Sequence, residues 1–188
     1  MRAFIAIPLP QEIKQVLEKL QNHLRTSQTD VRWVDLEQSH LTLAFFEKID
    51  PSQVPLLVDK ITQIVSEISP LSLSVRGLGA FPSWTRPRVV WTGLQGGEPL
   101  VQLNKKIVDA LEGIGFPQEE HSFQPHCTLG RIRSSHNQLK LVHLARPLER
   151  EEYGSFTVNH LILYESQLRI HGPLYREIHD FFLKTTQH

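Results

Sequence analysis

Two short segments carry the residue types that acid–base chemistry needs. His40-Leu41-Thr42-Leu43-Ala44 and His126-Cys127-Thr128-Leu129-Gly130 each place an imidazole two residues before a hydroxyl. In a strand, residues two apart share one face and their neighbours share the other. His40 and Thr42 would then point one way while Leu41 and Leu43 point into a core. His126 and Thr128 would pair likewise, opposite Cys127 and Leu129. Ten histidines and ten threonines in 188 residues give about half a His-x-Thr triplet by chance. Two triplets that also share a leucine and a following small residue exceed that. Two imidazoles and two hydroxyls brought to one cleft suit in-line attack on phosphorus. One neutral ring takes the proton of the incoming oxygen, and one protonated ring gives a proton to the leaving oxygen. The hydroxyls donate to the non-bridging oxygens as charge builds on them.

The elements that must position these residues can be read from periodicity. Residues 2–8 alternate and end at Pro8, a strand. Ile13, Val16, Leu17, Leu20 and Leu24 fall at helical spacing between residues 11 and 25. Strands are predicted at 31–34 and 41–46, then a helix over 52–68 and an alternating strand at 71–75. Residues 76–87 hold glycines and prolines around Phe81 and Trp84 and read as a loop. A strand at 88–92, a helix at 99–111 ended by Gly113 or Gly115, and strands at 127–132 and 157–164 follow, with a helix near 136–145. Residues 174–183 fit strand or helix. The class is α+β, and the two halves look loosely alike. No flexible linker divides them, so one bilobed domain over 1–188 is expected, with a shared core.

Composition narrows the function classes. Hydrophobic residues make up 40% and charged residues 21%, a globular balance, and 20 basic residues match 20 acidic ones. Long-range steering of a whole polynucleotide is therefore not indicated, and only a local basic patch would serve a phosphate. The one cysteine, Cys127, excludes a disulfide scaffold and paired-cysteine zinc or redox motifs. No apolar run reaches membrane-spanning length and the N-terminus lacks a signal-peptide pattern, so a cytoplasmic protein with no membrane association is expected.

Beyond the two triplets, several segments resemble the RNA 2′,3′-cyclic phosphodiesterase family, also called 2′-5′ RNA ligases, within the two-histidine phosphoesterases. They include Arg2-Ala3-Phe4-Ile5-Ala6-Ile7-Pro8, Val31-Arg32-Trp33-Val34, Gly77-Leu78-Gly79-Ala80-Phe81-Pro82 and Pro87-Arg88-Val89-Val90-Trp91. Phe123-Gln124-Pro125 before the second triplet, Leu163-Tyr164-Glu165-Ser166 and Gly172-Pro173-Leu174-Tyr175 complete the series over nearly the whole chain. The resemblance implies a bilobed fold with pseudo-two-fold symmetry, antiparallel sheets around a central cleft and helices outside. It implies His40 as general acid and His126 as general base, with Thr42, Thr128 and Arg131 on the phosphate. Its usual product is a 2′-phosphomonoester, and the reverse step is 2′-5′ ligation. Cys127 replaces an apolar residue usual in the family and should face the core. No cofactor is implied. The implied partners are RNA ends or nucleotides bearing a 2′,3′-cyclic phosphate, bound by a monomer.

Other residues are weighed against simpler roles. A zinc site from His121, His126 and Cys127 fails on geometry, because adjacent strand residues face opposite ways and no fourth ligand is apparent. Phe81 and Trp84 are the candidates for stacking on a base, with Phe45 and Trp91 assigned to the core. Arg86, Arg88 and Arg133 could form a basic rim, Glu47 or Asp35 could orient a histidine, and His121, His136, His143, His160, His171 and His179 read as solvated or capping. A catalytically idle RNA-binding module is the rival class, but binding alone needs no matched pair of imidazoles.

Overall fold

The computed structural model describes residues 1–116, 123–169 and 172–184. Among them, nine strands and four α-helices follow in the order β1 (Arg2–Pro8), α1 (Gln11–Arg25), β2 (Val31–Trp33), β3 (His40–Phe46), α2 (Val54–Val65), β4 (Leu71–Phe81), β5 (Val89–Gln95), α3 (Gly97–Gly113), β6 (His126–Ile132), α4 (Gln138–Ala145), β7 (Glu152–Val158), β8 (His160–Arg169) and β9 (Gly172–Phe182). Two antiparallel sheets result, ordered β3-β1-β8-β9 and β2-β6-β5-β4-β7. Helices α2 and α3 pack together, α2 against β9 and α3 against β3, so they belong to the first sheet. Helix α1 packs on β7, and α4 packs on α1.

The buried stripes follow the spacing of the apolar residues. Ile13, Leu17, Leu20 and Leu24 are buried on α1, and Leu57, Ile61 and Val65 on α2. Residues from both sheets join one core cluster, in which Ile5, Ile7 and Leu41 of the first sheet and Leu73, Val90 and Leu129 of the second are essentially inaccessible. Strand β3 also lies against β6, which brings the two His-x-Thr strands together from opposite sheets.

Several boundaries differ from expectation. The segment read as a loop at 76–87 is strand as far as Phe81. Gly77, at φ 77°, is the extra residue where the β4–β5 register shifts between Arg76 and Leu78. That backbone angle suits glycine, so a residue that reads as a strand breaker marks a bulge. The 157–164 strand is two strands parted at Asn159, and the ambiguous C-terminal stretch is strand β9.

Candidate active site

Each His-x-Thr strand contains one bulge, at the same place. Along β1–β3 the pairing steps from Ala6–Thr42 to Ile5–Ala44, so Leu43 is the extra residue. Along β5–β6 it steps from Trp91–Thr128 to Val90–Gly130, so Leu129 is extra. A single added residue shifts the alternation by one. Leu43 and Ala44 are both buried, as are Leu129 and Gly130, and the fifth residue after each histidine returns to the exposed face. That residue is Phe45 in the first strand and Arg131 in the second.

Buried amides reach the bulges from behind, and the Leu129 carbonyl also accepts the Val34 backbone N–H at 3.0 Å. Asn104 of α3 donates from Nδ2 to the Leu43 carbonyl at 2.9 Å. Gln21 of α1 donates from Nε2 to the Leu129 carbonyl at 2.9 Å and to the Val34 carbonyl at 2.9 Å. Carbonyls that leave a regular ladder in the interior must find donors, and one helix on each side supplies them.

The histidines are tethered in parallel fashion. His40 Nδ1 lies 2.8 Å from the Gln38 carbonyl oxygen, and His126 Nδ1 lies 2.7 Å from that of Gln124. A carbonyl only accepts, so Nδ1 carries the proton in each ring and the neutral tautomer keeps its lone pair on Nε2. These carbonyls orient the rings, a task for which the sequence offered Glu47 or Asp35 only as candidates. The Phe4 ring stacks on His40 with centroids 4.5 Å apart, and Phe81 meets His126 edge-on at 4.9 Å. Burial pushes the His40 pKa down, opposed by its bond to the Gln38 carbonyl.

His40, Thr42, His126, Thr128 and Arg131 all line one cavity of about 600 Å³. A second cavity of about 610 Å³ adjoins it, sharing Gln38, Ser39 and Tyr175, but holds none of those five groups. Convergent chemistry, not size, separates the two. Cys127 is buried between His126 and Thr128 beside Ser39, its thiol pushed up to about 12 by burial. Of the zinc set considered above, His121 lies outside the described residues, as does His171.

Tyr164 and Tyr175 crowd His40, with Tyr175 edge-on at 5.3 Å. Burial and the nearby Glu177 and Asp180 push the Tyr164 hydroxyl up to about 12. Burial also raises that of Tyr175, against the opposing pull of Arg131 and Arg2. Both remain hydroxyl donors at neutral pH.

The aromatic and basic walls of the cavity differ from those expected. Phe81 packs on His126 and Trp91, and Trp84 lies partly buried against the core; neither lines the cavity. Trp33 and Phe45 do. Trp33 lies over Gly130, where a Cβ would come within 3.0 Å of the ring, so glycine is what admits it. Arg86, Arg88 and Arg133 stand outside the cavity, Arg133 at 4.0 Å from Asp30, and Arg2 and Arg32 take their place. Alternation alone hid Phe45, because the bulge that reverses its direction leaves no mark in a Leu-Ala pair. His160, read as solvated or capping, is partly exposed and bonds Asp180 at 2.8 Å.

Two sheets that each contribute one tethered His-x-Thr strand to a shared cleft define a pseudo-symmetric two-histidine protein. The chain belongs to the 2′-5′ RNA ligase superfamily, whose family model matches residues 9–169. It is 30% identical over 97% of its length to 99% of the RNA 2′,3′-cyclic phosphodiesterase of Methanothermobacter thermautotrophicus. It is 31% identical to that of Aquifex aeolicus, over 97% of each chain. The crystal structure of TT0787 of Thermus thermophilus shares the fold with a TM-score of 0.83 and 24% identity over the whole of both chains.

Proposed function

We propose that this protein hydrolyses 2′,3′-cyclic phosphates at RNA ends to 2′-phosphomonoesters, with His126 as base and His40 as acid and without a metal. The observation that carries the proposal is the pair of imidazoles, each fixed through Nδ1 by a carbonyl two residues earlier, in one cavity with two threonines and Arg131. Nε2 of His126 takes a proton from water as its oxygen attacks phosphorus. Nε2–H of His40 protonates the 3′ oxygen as the P–O3′ bond breaks, which leaves the phosphate on O2′. Thr42, Thr128 and Arg131 bind the non-bridging oxygens, where charge accumulates. Arg32 faces Arg131 directly across the β2–β6 pairing. Like charges so placed are unfavourable alone, and one anion between them relieves the repulsion. A base would meet Trp33, in place of Phe81 and Trp84.

The named activity of the Methanothermobacter and Aquifex relatives supports this reaction. Ligation to a 2′-5′ linkage is the same step reversed, with a ribose 5′ hydroxyl in the place of water. Water at about 55 M favours hydrolysis unless a second RNA end is held in position. The protein is proposed to act as a monomeric single domain in the cytoplasm; among the described residues no helix is long and apolar enough to cross a membrane. The test is turnover of adenosine 2′,3′-cyclic phosphate in EDTA, with the product identified by chromatography. Adenosine 2′-phosphate is expected. No turnover, or turnover only after zinc or magnesium is restored, would sink the proposal.

A further inference from the structure

The cleft carries more positive charge than one phosphate requires. Arg2, Arg32 and Arg131 all line it, and among the described residues its one acidic lining group is Asp35. The Asp35 carboxylate already accepts from the Glu37 amide at 3.1 Å and from Gln38 Nε2 at 3.3 Å. Arg32 and Arg131 stand opposite one another on neighbouring strands, the pair assigned above to the reacting phosphate. Arg2 is placed differently. It enters from the other sheet, at the start of β1, with its guanidinium carbon 5.3 Å from the centroid of Phe45. At that distance the electron-rich ring face holds a cation. Among the described residues its Nε is shielded from solvent yet has no hydrogen-bond partner, an unfavourable state for a charged donor. The Tyr175 hydroxyl feels both the Arg131 and the Arg2 charges, and all three residues line the cavity.

The bulges account for this arrangement. Phe45 and Arg131 occupy equivalent positions, five residues after their histidines and turned outward by the same one-residue shift. On the second sheet that position is itself the cation. On the first it is an aromatic seat for a cation that the neighbouring strand supplies.

We infer that Arg2, seated on Phe45, binds a second phosphate of the substrate, the phosphodiester on the 5′ side of the terminal nucleotide. The inference rests on the proposed reaction and names its substrate class: RNA ends two nucleotides or longer, in preference to isolated nucleoside cyclic phosphates. In such an end the terminal ribose carries the cyclic phosphate on O2′ and O3′ and the diester on O5′. Two anions flank one sugar, as one arginine from the first sheet and an arginine pair from the second flank the cleft. A guanidinium offers several N–H groups in fixed directions, which suits a diester's two free oxygens.

The test compares kcat/KM for adenosine 2′,3′-cyclic phosphate, its 5′-phosphorylated form, and the adenosine dinucleotide ending in the cyclic phosphate. The wild-type protein should prefer the dinucleotide by about 10-fold or more, the value of a hydrogen bond to a charged group. The 5′-phosphorylated mononucleotide should recover most of that preference. Arg2→Gln should abolish the ratio, and Phe45→Leu, which keeps the charge but removes its seat, should lower it in part. Arg131→Gln should slow all three substrates and leave the ratio intact. If Arg2→Gln does not fold, Arg2→Lys should still reduce the ratio, because the ammonium lacks the forked geometry. An equal loss on all substrates in the Arg2 variant would place Arg2 at the reacting phosphate and overturn the inference, as would an unchanged ratio. Absence of wild-type turnover on every substrate would instead overturn the proposed reaction.

Discussion

A carbonyl oxygen two residues upstream of each catalytic candidate decides which ring nitrogen does the chemistry, and it does so identically at Gln38 and Gln124. Identical tethers cannot give the two rings opposite protonation, so that difference must come from surroundings and substrate. His40 is the ring whose pKa burial lowers, which keeps it neutral in the empty cleft at neutral pH. An acid role therefore depends on the anionic phosphate, whose charge favours the imidazolium. The sign follows: kcat/KM, set by the free protein, should fall on its alkaline side as pH rises through the lowered His40 value, below about 6.5. In kcat, set by the complex, the same limb should move to higher pH. Paired pH profiles of the two parameters check this, and coincident alkaline limbs would count against His40 as the acid. Alanine at His40 or His126 should each cost about 10²–10⁴ in rate, with the double variant far less than multiplicatively worse. Thr42→Val and Thr128→Val keep shape and lose the donor, so steady-state assays should show losses of up to ~10²-fold in a folded protein.

At the scale of the element, the periodicity of side chains located α1, α3 and the starts of β3 and β6. Each buries one stripe or face of regularly spaced apolar residues, whereas β1 is buried on both faces from Ala3 to Ile7 and does not alternate. What periodicity could not locate were the interruptions. Gly77 reads as a loop residue but is a bulge within β4, and Leu43 and Leu129 read as ordinary core residues but are bulges too. The buried side-chain donors to the bulge carbonyls, Gln21 and Asn104, lie on distant helices with no local sequence pattern to reveal them. The spacing of His40, Thr42, His126 and Thr128 was legible, whereas Phe45 is turned by a bulge and Arg2 and Arg32 reach the cleft through long-range strand pairing that no local pattern reveals. Asn104→Leu removes the donor to the Leu43 carbonyl in the interior, which should cost about 1–3 kcal/mol. For a chain of this size that is a fall of about 2–4 °C in Tm per kcal/mol. Because the bulge also aims Thr42 and Phe45, the rate should drop by up to ~10²-fold even at temperatures where the variant is folded. A variant that loses stability but keeps full kcat/KM would show that the bulge has no part in aiming the cleft.

For the whole molecule, a formal net charge of zero conceals an uneven distribution, with three arginines and one engaged aspartate around the cleft. The cleft can thus attract an anion although the chain as a whole has no net charge, in keeping with the proposed recognition of a chain end. The cavity's walls come from both sheets, and the sheets share one core cluster. Neither half can then unfold without exposing apolar surface of the other, and thermal unfolding should show one cooperative transition. A 2′-phosphomonoester that contacts Thr42 on β3 and Thr128 on β6 binds only the assembled cleft. At 100 times its Kd it should stabilise the folded state by about 2.7 kcal/mol, which raises Tm by roughly 5–11 °C for a protein of this length. Calorimetry with and without adenosine 2′-phosphate measures both quantities. A single peak that moves upward as a unit is expected. Two peaks, of which the ligand shifts one, would mean that each half folds independently and that the phosphate site belongs to one of them.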